Sequence, residues 1–150
     1  MEVTKREIER AVLRPLKSAG WRTKGRSAYK AGLGMSVVVN VQGSRFDSAQ
    51  FVNIGFYFPD RPDEQLVHNK CPVLFRIEDL RPEHRAQVLQ ATAEESSSLE
   101  ALEWLEDFVS RAIEPELSAL LTQESLRAAL QSERLKGARV TVQARTVLRL

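Results

Sequence analysis

Asn40, Gln42 and Asn53 sit at alternate positions of two runs that otherwise read as greasy strands, VVVNVQG and FVNIGFYF. Side chains two apart on a strand share a face. The amides therefore project together from one side of a sheet. Arg26 is a further member of this group if a three-residue turn joins its strand to the first run, with Lys24 and Arg45 flanking it. Guanidinium groups beside fixed amides suit a carboxylate or phosphate, because arginine donates in a planar fork. The plainer use of the same residues is a wet sheet face, or an amide network beneath a packed segment.

Other chemistry-bearing residues carry less. His68, Cys71 and His84 are the soft ligands of the chain, and H-x-x-C falls short of the three or four ligands a zinc site needs. A Cys–His nucleophile pair would use the same residues but has no supporting motif around it. Asp60, Asp63 and Glu64 beside Arg61 read as a solvated charged turn. Gly32, Gly34 and Gly43 lack the lysine and hydroxyl context of a phosphate loop. Glu100, Glu103, Glu106 and Asp107 mark an acidic helix face, which fits a basic protein partner as well as solvent. No catalytic residue, metal site or cofactor is expected.

These residues need elements to hold them. Met35, Val37, Val39 and Val41 oppose Ser36, Val38, Asn40 and Gln42, and Val52, Ile54, Phe56 and Phe58 oppose Phe51, Asn53, Gly55 and Tyr57. Period-two alternation predicts two central strands. Ser27–Lys30 predicts a strand before them, and Val73, Phe75 and Ile77 predict one after. Two turns fit Gly32–Leu33–Gly34. A two-residue loop would put Arg26 on the core face. A three-residue loop with Gly34 left-handed puts Arg26 opposite Asn40, and the cost of burying an unpaired charge favours that second register.

Thr4 and Glu7 predict a capping box and a first helix carrying Ile8, Val12 and Leu16, which Gly20 ends and Pro15 kinks or splits. Pro82 predicts a short helix over Glu83–Thr92. A capping box at Ser97–Glu100 starts a long helix that Pro115 divides from the apolar segment LSALL. Thr122 caps a last helix carrying Leu126, Ala129 and Leu130, which Gly137 ends, and Arg139–Arg145 alternates weakly as an edge strand. The expected fold is one α+β domain over residues 1–150. Its antiparallel sheet of about four strands carries the N-terminal and C-terminal helices on one face.

Across the 150 residues the hydrophobic share is 43% and the net charge +2, the balance of an ordinary globular chain. The charge is unevenly spread. Arg10 to Phe46 contains no acid, whereas Glu78 to Glu116 is strongly acidic. The small net charge and the acidic block disfavour nucleic acid. A single cysteine excludes an internal disulfide, no apolar run is long enough to span a bilayer, and the N-terminus lacks a secretory core. Cytoplasmic is the expectation.

The order and spacing of several short motifs resemble one family. They are Gly20–Trp21 after the first helix, Lys24–Gly25–Arg26, Gln42–Ser44, and Val52–Asn53–Ile54–Gly55, with KCPVLFRIEDL after them. Together they are similar to the bacterial family named domain of unknown function 4304, over roughly residues 5 to 80. The resemblance implies an α+β fold in a small bacterial cytoplasmic protein, and no activity or catalytic residue. The favoured expectation is a non-enzymatic protein that masks a partner such as a toxin, in the manner of an immunity protein or antitoxin. The alternative is a small-molecule or anion-binding domain using Arg26, Asn40, Gln42, Asn53, Arg45 and Lys24.

Overall fold

Thr4 starts the first helix as its spacing to Glu7 predicts. In the computed structural model, which describes residues 2–58 and 70–150, the Thr4 hydroxyl accepts from the Glu7 N–H at 3.2 Å. The Glu7 carboxylate accepts from the Thr4 N–H in return. Helix α1 spans Lys5–Ser18 and buries Ile8, Val12 and Leu16. The Trp21 N–H donates to the Leu16 carbonyl and the Gly20 N–H to the Lys17 carbonyl, each at 3.0 Å. Those paired bonds need a left-handed residue, and Gly20 supplies it at φ +96°. The next residue, Trp21, is buried in the core. Pro15 does not split α1 into two helices, one of the two outcomes expected of it. It lies in the last turn, where its missing N–H removes one intrahelical bond.

Six strands, two more than expected, pair in chain order into one open antiparallel sheet. They are β1 Arg22–Lys24, β2 Ser27–Ala31, β3 Ser36–Gly43, β4 Gln50–Tyr57, β5 Val73–Arg76 and β6 Arg139–Val140. The first addition is β1, because Lys24–Gly25–Arg26–Ser27 closes a hairpin with Lys24 opposite Ser27 and Gly25 at φ +57°. The second, β6, falls where the weak edge strand outside those four was expected, and it pairs with β5 over two residues only. The expected strand at Arg139–Arg145 stops there, since Thr141 caps a helix over Val142–Leu148.

Between β5 and β6 the chain is helical. Helix α2 is Ile77–Leu80, and a 3₁₀ turn at Pro82–His84 leads into α3, Arg85–Ala91. Helix α4, Leu99–Phe108, is capped by Ser98, one residue later than expected, whose hydroxyl accepts from the Ala101 N–H at 3.0 Å. Pro115 does not separate α4 from the next helical segment. A π segment at Val109–Ile113 runs directly into α5, Glu114–Ala119. The wider π turn relieves the clash a proline ring makes with the carbonyl four residues back. Thr122 caps α6, Gln123–Leu130, as expected, but α6 ends seven residues before Gly137 and is not the last helix: a 3₁₀ turn follows at Glu133–Leu135, and α7 is Val142–Leu148. Val37, Val39, Val52, Ile54 and Phe56 on one sheet face form a single core with residues of α1, α4, α5 and α6.

The β2–β3 turn corrects both expected registers. It holds four residues, Gly32–Met35, with Gly34 at φ +73° and the Gly32 N–H donating to the Met35 carbonyl at 2.7 Å. Ala31 therefore pairs with Ser36, and Ser27, not Arg26, pairs with Asn40. Met35 is fully buried as the last residue of the turn and not the first of the strand. A one-residue slip moves a side chain to the opposite face. Arg26 thereby leaves the amide face for the helical side. There its Nε lies 3.1 Å from Glu9 of α1, and its guanidinium also donates to the buried Gln50. The charge is paired, so the burial cost that disfavoured this side does not arise.

Candidate functional site

The outward sheet face is organised in rows across the strands. One row reads Lys24, Ser27, Asn40, Asn53 and Arg76, each paired with the next. The neighbouring row reads Arg22, Tyr29, Val38, Gly55, Leu74 and Arg139. Within the first, Asn40 Nδ2 donates to Ser27 Oγ at 2.8 Å, and Asn53 Nδ2 reaches out of the row to donate to Gln42 Oε1 at 2.9 Å. Asn40, Gln42 and Asn53 thus share one face, as their alternation predicts. Lys24 shares the row but stands four inter-strand spacings from Arg76, roughly 19 Å. Arg45 is exposed in the β3–β4 loop.

Part of this face is packed. Tyr29, Val38, Tyr57 and Cys71 form a second, smaller apolar cluster, and Cys71 is fully buried. Burial pushes the Cys71 thiol up from 9.0 to about 12, while a hydrogen bond to Tyr57 and the charge of Arg139 pull it down. A thiol held so firmly protonated is a packing group and not a nucleophile. The folded-state value lies above that of the unfolded chain, so the stabilisation is complete below pH 9 and is lost as pH rises toward 12. Urea unfolding measured between pH 8 and pH 11 should show a steeper alkaline loss of stability for the natural chain than for Cys71→Ala. Parallel losses would contradict this assignment.

The other part opens into a groove of about 420 Å³ lined by Gln42, Asn53, Arg76, Glu78, Asp79, Arg85 and Arg139, with Leu74, Phe75 and Gly137. Strand β5 brings Arg76 beside Asn53, with its guanidinium carbon 4.1 Å from the centre of the Phe51 ring. Cation–π stacking uses the flat face of a guanidinium and leaves its N–H edge available to an acceptor. Helix α2 contributes Glu78 and Asp79, α3 contributes Arg85, and β6 contributes Arg139. Asp79 accepts from the Arg76 N–H at 3.0 Å and lies 3.8 Å from Arg85. Glu78 is only 5% exposed.

A profile of the family described as a domain of unknown function (DUF4304) matches residues 12–119, more than half of the chain. The chain belongs to the DUF4304 family. No curated protein and no solved structure matches it. The short motifs of this DUF4304 chain now have physical roles. Lys24–Gly25–Arg26 is the β1–β2 hairpin turn, and in Val52–Asn53–Ile54–Gly55 the asparagine joins the polar row while the glycine makes room for Cys71. Arg76, Glu78, Asp79, Arg85 and Arg139 were not legible as site residues. The signal for Arg76 was its alternation with Phe75; Arg139 carried none, because only the fold brings the C-terminal segment to this edge.

The remaining expectations separate from the groove. Glu100, Glu103 and Asp107 are exposed on α4 and Glu106 is half-buried. Asp107 lies 2.7 Å from Arg111, and Glu100 borders a different groove of about 280 Å³ with Gln87, Gln90 and Trp104. His84 packs edge-on against Phe108 at 5.2 Å, with Nδ1 2.7 Å from Gln87 Oε1. Asp60, Arg61, Asp63, Glu64 and His68 lie outside the described residues. Among the described residues no group of three or more His, Cys, Asp or Glu could hold a metal ion, and no helix is long and apolar enough to cross a membrane.

Proposed function

We propose that this protein is a non-enzymatic binding module whose groove receives a carboxylate or phosphate group. One observation carries the reading: Arg76, Arg85 and Arg139 come from three separate elements to line a single groove beside the amides of Gln42 and Asn53. Guanidinium groups recognise such anions through paired, charge-assisted hydrogen bonds. Amides held in a strand row offer donors that need no reordering on binding. Calorimetric titration with inorganic phosphate and with acetate tests this. Saturable binding that weakens at least about tenfold in the Arg76→Gln/Arg139→Gln double variant is expected, since hydrogen bonds to charged groups are worth roughly 1.5–3 kcal/mol. Absence of saturable binding, or equal binding by the double variant, would overturn it.

A second reading, masking of a partner protein, draws on Phe46. This ring is 95% exposed in the β3–β4 loop, which begins after Gly43, at the end of β3 that carries Gln42. The Ser44 hydroxyl accepts from the Phe46 N–H, and Asp47 accepts from the Ala49 N–H at 2.9 Å, so the loop is held in place. An aromatic anchor on a pre-ordered loop is the form that interface hot spots take. In this reading the acid group entering the groove belongs to the partner, and Phe46→Ala weakens the complex without changing phosphate affinity. Loss of phosphate binding in Phe46→Ala, or an undiminished complex, would sink it.

A further inference from the structure

The groove contains one charged group that the anion reading leaves unused. Glu78 is 95% removed from solvent and lines the groove, yet among the described residues its side chain takes part in no hydrogen bond or ion pair. Its neighbour Asp79 is already committed to the Arg76 N–H and to Arg85. Among the described residues the buried polar atoms without a partner are Trp21 Nε1 and Ser97 Oγ, so the little surface Glu78 keeps includes its carboxylate oxygens, which face the groove. Three arginines and two acids line the groove, so nearby positive charge compensates Glu78 in sum, but among the described residues no guanidinium donates to it. A ligand N–H cation would take the place of water on it with a charge-assisted hydrogen bond. The adjacent Arg76 presents the complementary requirement, a guanidinium whose face is occupied by Phe51 and whose backbone N–H is occupied by Asp79. The two opposite needs lie within one groove of about 420 Å³. That is near the small end of ligand sites, which span roughly 300–1,000 Å³.

We infer that the groove recognises a small zwitterion of the α-amino-acid class, its ammonium group held by Glu78 and its carboxylate by Arg76, with Asn53 and Gln42 alongside. This rests on the anion-binding reading and adds a cation requirement to it. The groove is open and mostly polar, so specificity lies in the charge pattern of the ligand's backbone atoms and not in enclosure of its side chain.

Three matched probes separate the two levels: the free amino acids, their N-acetyl derivatives, which keep only the carboxylate, and their amides, which keep only the ammonium. Each is titrated calorimetrically against the natural chain, Glu78→Gln and Glu78→Asp, with urea unfolding confirming that both variants fold. The free forms are expected to bind at least about tenfold more tightly than the N-acetyl forms. That preference disappears in Glu78→Gln and persists in part in Glu78→Asp. Equal binding of free and N-acetyl forms, or a preference that survives Glu78→Gln, overturns the zwitterion inference while the anion reading stands. If neither the N-acetyl forms nor inorganic phosphate bind, both fall.

Discussion

Gly55→Ala is expected to destabilise the protein by about 3 kcal/mol, a large effect for one added methyl, because overpacking a rigid site forces backbone or side-chain displacement. A Cβ at position 55 would stand 2.2 Å from Cys71 Sγ and 2.8 Å from Cys71 Cβ, with Val38 Cγ1 at 3.4 Å on the other side. Neither neighbour yields easily. Gly55 lies in β4 between β3 and β5, and Cys71 is a fully buried side chain too short to swing aside. Urea unfolding measures the loss. The compensating change is Cys71→Gly, which removes both clashing atoms. The double variant Gly55→Ala/Cys71→Gly should be more stable than Gly55→Ala, a favourable coupling that distant sites would not show. A Gly55→Ala variant as stable as the natural chain would mean that Cys71 does not pack on β4.

Glu116→Ala ranks next. The Glu116 carboxylate of α5 accepts from Arg81 Nε at 2.6 Å and lies 2.7 Å from Arg134 Nη2, while Arg134 Nη1 donates to the Leu80 carbonyl at 2.8 Å. One carboxylate thus ties α5 to the end of α2 and to the 3₁₀ turn that leads to β6. Its side chain is 15% exposed and those of the arginines about a third, so the pair energies are screened below those of a fully buried site. Removing the carboxylate leaves two guanidinium groups facing each other. A loss of about 2 kcal/mol is expected, with Glu116→Gln losing roughly half of that because one acceptor oxygen remains. A change below about 0.5 kcal/mol in Glu116→Ala, the range of an ordinary surface substitution, would contradict the clamp. Since the clamp also holds the segment carrying Arg139, Glu116→Ala should lower phosphate affinity as well as stability.

Much of the fold could be read in the residues, for reasons that are local. Val37, Val39, Val41, Val52, Ile54 and Phe56 alternate because a sheet buries one side, and Thr4, Thr122 and Gly20 mark helix ends through bonds made within a few residues. What escaped depended on contacts distant in sequence. The four-residue turn at Gly32–Met35 is set partly by close packing on Leu121, where a Cβ on Gly32 would come within 2.8 Å of the Leu121 Cβ. No short-range rule contains that contact, and the one-residue difference placed Arg26 on the helical side. Pro15 and Pro115 read as breaks because propensity penalises them. The structure absorbs them in a final turn and a π segment.

The candidate site divides the same way. Asn40, Gln42 and Asn53 were recognisable because amides interrupt an alternating pattern, and the structure does bring them together. Lys24 shares their row at the far edge, while Arg26 is engaged by Glu9 and Gln50. The cationic half of the groove comes instead from Arg76, Arg85 and Arg139, contributed by a strand, a helix and a C-terminal edge strand. Their convergence is a property of tertiary structure. Basic residues were legible in the chain; which of them would meet the amides was not.

The most direct measurement is a backbone amide NMR titration of the isotope-labelled protein with inorganic phosphate. Saturable shifts at Gln42, Asn53, Arg76, Glu78 and Arg139, with Lys24, Gly25 and Arg26 unmoved, are the predicted result. Shifts confined to Lys24–Arg26 and the Arg45 loop, or no saturable shift anywhere, would contradict the groove as the binding site.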